Sequence, residues 1–593
     1  MKISLRWSVL FFAVTCMSAS LWAQQIVSGT VTDESGVPMP GATVVVEGTN
    51  TGTTTDFDGN YQIQASQNQT LVVSFVGYGS QSITVGNSST VNVQLQADNV
   101  LSEVVVTAQN ILRDKKSLGY AMTDLKSESI ENRPEADIAR VLSGKIAGVN
   151  VVSTGGTVGG GTNITIRDAV SITGNNQPLF VVDGIPFDSS TDLQSDVTTG
   201  NSSVSASSRF LDLDPNNITN ISILKGLSAT VLYGNAGRNG VILVTTKGGA
   251  SKSTRKGFEF SLSQSTFYNE ISDLPDYQNI YGQGGDNSIN VGYVGNWGGR
   301  FDGNHSVRHH YSASRLAEAF PEYQGVQVPY KSFKDNVKNF FRRGIGNTTA
   351  LNISKGSENI NYSFSFGHND EEGYIPGNSF KRDNFGLGVS SKLDYNIQLN
   401  ASFKYTTSLF KTPPIAANNG TGNFSIFTRT LFIPRNLDLE GLPYQNPIDG
   451  SSVYYRTDQE NPLWLVNNSQ ESIKNNRFFS SVSLGIELNP YFNLMYRVGY
   501  DTYNENQKFY INKGGVSSLI AEQGFLRTSS AVNTVWDHSL ILNLKGVNLS
   551  DDIDLNGTFG VNSNSNNLEK TGLASSISAG FFYGSFQIMD LTK

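Results

Sequence analysis

Apolar and polar residues alternate along most of this chain, in runs that stop at Gly, Pro, Asn and Asp. In INYSFSFG, the residues Ile360, Tyr362, Phe364 and Phe366 fall on one face, and Asn361, Ser363 and Ser365 on the other. IQLNASFKY repeats the pattern with Ile397, Leu399, Ala401, Phe403 and Tyr405. VSLGIELNPYFNLMYRVGY gives two such runs across Asn489-Pro490: Val482, Leu484, Ile486 and Leu488, then Phe492, Leu494, Tyr496, Val498 and Tyr500. LILNLKGVNLSDDIDLNGTFGV does the same. A period of two is the strand period, so the chain from about Phe258 onward predicts long antiparallel strands. Tight turns join the paired strands, and longer polar stretches, Asp273 to Arg343 and Phe410 to Arg477, separate the pairs. Apolar-out and polar-in runs with short turns at one end and long loops at the other fit a transmembrane β-barrel. A soluble multi-sandwich protein or adhesin also alternates at period two, and periodicity alone leaves that reading open.

Upstream the texture differs. Residues 24–97 hold short alternating strands: QIVSGTVTD, ATVVVEGT, YQIQA, TLVVSFVGY, QSITV and STVNVQLQA. Turn residues punctuate them, which predicts a small β-sandwich. Asp56, Asp58 and Gly59 suit a hairpin turn better than a calcium loop, because Gln67 stands where such a loop needs Glu. Residues 98–110 contain one short apolar strand around Val104-Val105-Val106. Residues 111–250 read as a mixed α/β unit. Ile138, Val141, Leu142 and Ile146 take helical spacing closed by Gly148, and strands follow at VNVVST, TNITIRD, PLFVVDGIP, ISILKG and GVILVTTK.

Composition narrows the class. The net charge is −8 with only 16% charged residues, so there is no basic block to neutralise phosphates and no nucleic-acid partner is expected. The N-terminus reads as a cleaved signal peptide, residues 1–23: Lys2 and Arg6, an apolar run from Val9 to Ala19, and a cleavage point at Ala23-Gln24. The one cysteine, Cys16, lies inside that run, so the exported chain would be thiol-free. The loop Gly155-Gly156 with Gly159-Gly160-Gly161 lacks the Lys-Ser/Thr of a phosphate cradle. His309-His310 lie in a polar loop and read as solvated surface residues rather than catalysts. No metalloprotease or Ser/His/Asp signature is present, and neither an enzymatic activity nor a cofactor is expected.

Specific motifs carry a family resemblance. Gly29, Val31, Pro40-Gly41-Ala42, Gly48-Thr49, Asp56-Phe57-Asp58-Gly59 and Gly77-Tyr78 resemble the carboxypeptidase-regulatory-like domain. LSGKIAGVNV, NITIRD, GNNQPLFVVDGIP, DPNNITNISILKG and SATVLYGNAGRNGVILVTTKGG resemble the plug of the SusC/RagA family of TonB-linked outer-membrane proteins. Asp168 and Gly226 depart from that pattern at local turns. The resemblance implies a TonB box at Glu103, Val104, Val105, Val106, Thr107 and Ala108, a segment that can add as a strand to a periplasmic partner. It also implies plug-motif residues Arg167, Asp183, Gly184, Lys225, Tyr233, Gly234 and Gly240. Arg167, Asp183 and Lys225 are expected to form buried ion pairs that keep the plug docked.

The expected architecture is therefore multi-domain: an N-terminal β-sandwich, an α/β plug and a partial transmembrane antiparallel β-barrel over residues 251–593. The strands after Phe258 make up only about half of a plugged barrel of this type, so the sequence reads as part of a longer protein. What the resemblance implies is TonB-dependent import of an oligosaccharide or peptide across the outer membrane of a Gram-negative bacterium. The implied partners are TonB, a SusD-like surface lipoprotein, outer-membrane lipid and the glycan or peptide itself. A surface receptor or adhesin without transport is the alternative. Tyr281, Tyr293 and Trp297 suit stacking on sugar rings and loop packing equally.

Overall fold

A computed structural model describes residues 25–49, 51–75, 78–96, 104–106, 112–114, 122–130, 135–153, 156–167, 171, 176–189, 207, 209–225, 231–248, 257–357, 359–415, 425–550, 553–576 and 585–590. The signal-peptide reading falls on residues outside this set, as do Asp168 and Gly226. Two compact units emerge, one of residues 1–106 and 112–118, the other of residues 107–111 and 119–593.

The first unit is a sandwich. One sheet orders Asn60–Ala65, Gln25–Thr32 and Val93–Gln94, and the other Gly52–Thr54, Thr43–Val46, Thr70–Phe75 and Tyr78–Thr84. Alternation puts Val27, Val31, Val44, Ile63, Leu71 and Val73 on the two inner faces, where all are buried. In the turn before Asn60, the Asp56 carboxylate accepts the backbone N–H groups of Asn60 at 2.8 Å and Asp58 at 3.0 Å. Those bonds, the Asn60 one first, hold the Asp56 carboxyl below its ordinary pKa. Val104–Val106 forms a strand paired antiparallel with Leu112–Asp114, Val105 opposite Arg113.

The second unit begins with a five-stranded sheet in the order Met122–Lys126, Ile218–Leu224, Val241–Thr246, Leu179–Val182 and Ile185–Phe187. Every residue of Val241–Thr246 is buried, as a central strand covered on both faces requires. The expected helix is short, Ile138–Val141, with the Asp137 carboxylate capping the Ala139 N–H at 2.8 Å. Positive φ at Gly144 (72°) and Gly148 (75°) ends helical geometry, yet Ile138, Val141, Leu142 and Ile146 are all buried as their spacing predicted.

Ten antiparallel strands follow, each bonded to its sequence neighbour: Gly257–Asn269, Gly344–Gly356, Ile360–Glu372, Ser379–Leu393, Ile397–Thr412, Ser469–Glu487, Phe492–Ile511, Phe525–Ser550, Ile553–Ser576 and Ser585–Asp590. Their polarity is the inverse of a water-soluble sheet. Phe364, Leu387, Phe403, Tyr496 and Trp536 are exposed on the outer face, while Arg382, Glu471, Arg477, Asp501 and Glu505 are buried on the inner one. This is the wall of a transmembrane-type barrel, lined on its inside by the plug.

The first long connection runs 270–343, close to expectation, and the second is shorter than expected, 413–468, because the ladder continues through Phe410↔Ile473 to Thr412↔Glu471. They are not loose polar loops. Phe340, Ile426, Ile433, Leu437, Tyr454 and Trp464 form a buried core together with Phe509 and Ile511 of the wall. His309 and His310 are accordingly not free surface residues, and His310 is half-buried. His309 is buried and stacks on Tyr323 with ring centroids 4.1 Å apart. His310 Nε2 lies 2.7 Å from Gln283 Oε1 and 3.2 Å from Asn436 Nδ2, tying the two connections together.

Burial, and then the His309 charge, lower the His310 imidazole from 6.5 to about 4. An unfolded His binds a proton below its ordinary pKa and the folded one does not, so the lobe loses stability as pH falls from 6.5 to about 4. The expected loss is roughly 3 kcal/mol at most. Amide exchange of residues 305–312 and 433–439 should accelerate across that window, and His310→Gln should flatten the change. Exchange that is constant across the window would contradict this.

Candidate functional site at the interface of plug and barrel

The plug presents its hairpin turn Asp183-Gly184 to the wall. Both residues have positive φ, 46° and 85°, as a two-residue hairpin with the twist of its strands requires. Within the plug, the Asp183 carboxylate accepts the Thr246 N–H at 2.9 Å and its hydroxyl at 2.8 Å. From the wall it accepts the Ser402 hydroxyl at 3.2 Å and the Lys404 ammonium at 2.5 Å. Burial alone would raise the Asp183 pKa, but Lys404 and the Thr246 donors outweigh it and hold the carboxyl below its usual range. The Ser481 hydroxyl donates to the Asp183 carbonyl at 3.3 Å. Gly184 admits the wall closely, since a Cβ there would lie 2.2 Å from the Arg497 guanidinium.

A second set of contacts centres on Arg477, which is 2% exposed. Its guanidinium grips Asp501 of the next strand through two bonds of 2.8 and 2.5 Å. The remaining nitrogen reaches across to the plug, donating to the Asp188 carbonyl at 3.1 Å and the Asp212 carboxylate at 3.2 Å. Asn475 donates to both Asp212 oxygens, at 2.9 and 2.8 Å. The plug ring of Phe187 lies flat under the Arg477 cation, 3.4 Å from centroid to Cζ. Arg209 of the plug pairs with Glu505 at 2.5 Å. Arg382 of the wall donates to the plug carbonyls of Ala136 (2.8 Å) and Leu211 (2.7 Å) and lies 3.7 Å from Asp214.

The expected triad of ion pairs is therefore corrected. Asp183 does form a buried pair, but with Lys404, a residue the sequence reading did not single out. Lys225 donates to the Ala147 carbonyl at 2.7 Å. Partial burial and then the adjacent Arg167 charge lower its pKa, so the two cations repel rather than share an acid. Arg167 has φ of 66°, and its N–H closes on Gly148 O at 2.7 Å. Tyr233 packs on Val181, Leu224, Val241 and Leu243. Gly234 and Gly240 have φ of 58° and 97°, and a Cβ on Gly240 would come 2.7 Å from Ile166 Cδ1. These are folding positions of the plug. Of the strand segment, Glu103, Thr107 and Ala108 lie outside the described residues. Lys404, Arg477, Asp501 and Glu505 left one signal in the sequence. Each is a charge at an inward register position of a strand that carries outward aromatic residues, Phe403 and Tyr405, Phe478, or Tyr496 and Tyr500.

A sandwich, an α/β plug and an inside-polar wall gripping it through buried charge define a TonB-dependent receptor architecture. Residues 27–106 match the CarboxypepD_reg-like domain, and residues 114–241 match the TonB-dependent Receptor Plug Domain. The chain is similar to the TonB-dependent receptor SusC of Bacteroides thetaiotaomicron, 31% identical over 398 residues, 66% of this chain and 34% of that protein. It is 28% identical to TonB-dependent receptor P26 of Formosa agariphila over 494 residues, 77% of this chain and 44% of the relative. Among solved structures, the RagAB peptide importer in its open-open state superposes with a TM-score of 0.63 at 18% identity, over 82% of this chain and 53% of that one. The sandwich and plug are thus the domains these family models describe, the plug and wall share the fold of the RagAB structure, and the chain spans less than half the length of these curated relatives.

Removing one partner of a buried pair leaves a charge stranded, which typically costs about 3–5 kcal/mol. Lys404→Met and Asp183→Asn should each loosen the plug, with a coupling between them of about 0.5–3 kcal/mol. Urea titrations of the detergent-solubilised full-length protein, read by protease cleavage within the plug, measure this. Strictly additive effects would rule the pair out as a fastener.

Proposed function

We propose that this chain belongs to an importer of oligosaccharides or peptides in the outer membrane of a Gram-negative bacterium. The observation that carries the reading is the set of buried ion pairs in the plug's attachment, which surround a smaller apolar patch of Ala136, Val158 and Leu211 against Phe380, Phe410 and Ile473. The plug is fastened to the wall by Asp183–Lys404, Arg477–Asp212 and Arg209–Glu505. A charged interface is weak in net terms, because its groups regain hydration when water enters, whereas an apolar one of equal size would resist opening over its whole area. A plug held this way can be moved without unfolding its own apolar core of Ile138, Phe180, Ile221 and Ile242.

The force enters through TonB, which adds as a strand to the segment Glu103 to Ala108. Main-chain bonds carry such a junction, so Val104–Val106 needs only to release its pairing with Leu112–Asp114. Substrate enters from the lobe built by residues 270–343 and 413–468, beneath a SusD-like lipoprotein. The name of one similar structure, a peptide importer, supports import with peptide as a candidate cargo, and oligosaccharide is the other cargo that the family resemblance implies.

Deleting residues 103–108 from the full-length protein in its native strain tests this. Uptake and growth on the cargo should fall to background while the protein still reaches the outer membrane and displays its loops. Undiminished uptake would refute TonB coupling. Surface adhesion untouched by the deletion, with no uptake in the parent, would favour an adhesin.

A further inference from the structure

The hydrogen-bond register arranges the outward side chains of the wall in rows. One row runs Leu351, Phe366, Phe385, Tyr405 and Phe478, and the next toward the short turns runs Phe364, Leu387, Phe403, Ser480, Tyr500 and Trp536. Beyond this aromatic band, toward the long connections, the chemistry changes. Three adjacent strands present Thr407, Leu409 and Lys411; Asn476, Lys474 and Ser472; and Thr502, Asn504, Asn506 and Lys508. Lys411 is opposite Ser472, which is opposite Lys508, and Lys474 lies one row nearer the band between them. Strand spacing puts the Lys411 and Lys508 stems about 10 Å apart, with Lys474 about 8 Å from each.

Charge is sorted by face here. The acids at this end of these strands, Glu471, Asp501 and Glu505, are buried on the inner side, and Glu487 lies at the opposite end by the short turn. Lys474 and Lys508 are exposed and Lys411 is half-buried. Among the described residues none of the three lysines has an ion-pair partner, whereas outward charges on the neighbouring strands do: Lys381 with Asp370 and His368 with Asp383, each at 2.7 Å. An acid-free basic triangle on a chain of net charge −8 is complementary to an anion. Its height identifies which one. Lys474 stands four residues beyond Phe478 on the same face. That is about 13 Å along the strand, or roughly 10 Å above the band after barrel tilt. The thin polar layer of a phospholipid, about 5–8 Å a side, ends below that level. The phosphorylated sugars of a glycolipid headgroup reach it, and lysine stems bend toward them.

We propose that Lys411, Lys474 and Lys508 form a site for the phosphate groups of an outer-leaflet glycolipid. The site rests on the outer-membrane reading above and adds a lipid ligand to it. Full-length protein is placed in nanodiscs holding phosphorylated glycolipid from the same membrane, that glycolipid after phosphatase treatment, or phosphatidylglycerol, and retained lipid is counted by native mass spectrometry. Wild type and a K411R/K474R/K508R variant should retain the phosphorylated glycolipid on the order of ten-fold over the dephosphorylated form. K411E/K474E/K508E should lose that preference. Equal retention of both glycolipid forms by wild type overturns a phosphate site, and equal retention of phosphatidylglycerol overturns the glycolipid assignment. Membrane fractionation separates the two readings. A wild type absent from the outer membrane sinks the localisation, whereas a K411E/K474E/K508E variant that arrives there and keeps its preference sinks only the lysine site.

Discussion

Arg477 is shared between two bodies. One edge of its guanidinium is bound to Asp501 of the wall, and the other reaches Asp188 and Asp212 of the plug over the ring of Phe187. A planar five-donor cation suits that position, since lysine could not serve both sides at once. Around it the wall side is mostly polar, apart from Phe380, Phe410 and Ile473, which pack on Ala136, Val158 and Leu211 of the plug. The plug contributes mainly carboxylates and carbonyls to Lys404, Arg382 and Asn475 of the wall, while its Arg209 meets Glu505 and its Val158 N–H donates to Asn378 Oδ1. The plug's hydrophobic core is largely its own, with Phe479 the wall residue that joins it.

Close approach of the two bodies depends on missing side chains as much as on charged ones. A Cβ on Gly499 would lie 2.5 Å from Ile185 Cδ1, and one on Gly388 would lie 2.3 Å from the Cα of Gly248. At these places backbone meets plug directly, so the ion pairs can be short. The outward face obeys a different solvent. Exposed Phe, Tyr, Leu and Trp there would be faults in a water-soluble sheet and are ordinary against hydrocarbon.

Much of this was legible in the sequence, for identifiable reasons. Period-two alternation fixed which residues of each long strand share a face, because a pleated strand permits only two. Ile360, Tyr362 and Phe364 are outward together, as are Phe492 and Tyr496. Turn chemistry placed Asp183-Gly184 at a hairpin tip. Pairing across the interface was not legible. Asp183 and Lys404 are separated by 221 residues, and Asp212 and Asn475 by 263. Such partners are chosen by barrel register, which no local pattern encodes. The fold of the long connections was hidden for a related reason. Their apolar residues, such as Ile433, Tyr454 and Trp464, follow no period and meet only in three dimensions.

The order of the elements along the chain gives the interfacial acids a further role. Asp183, Asp188, Asp212 and Asp214 all precede residue 250, while Lys404, Arg477 and Arg382 come more than a hundred residues later. A chain made from its N-terminus therefore exposes the carboxylates before their cations exist. Until then they are hydrated, and like charge on neighbouring molecules keeps the emerging domain from associating. An apolar docking face of the same extent would be adhesive throughout that interval. The charged part of the docking face is thus compatible with water until the wall that neutralises it is made.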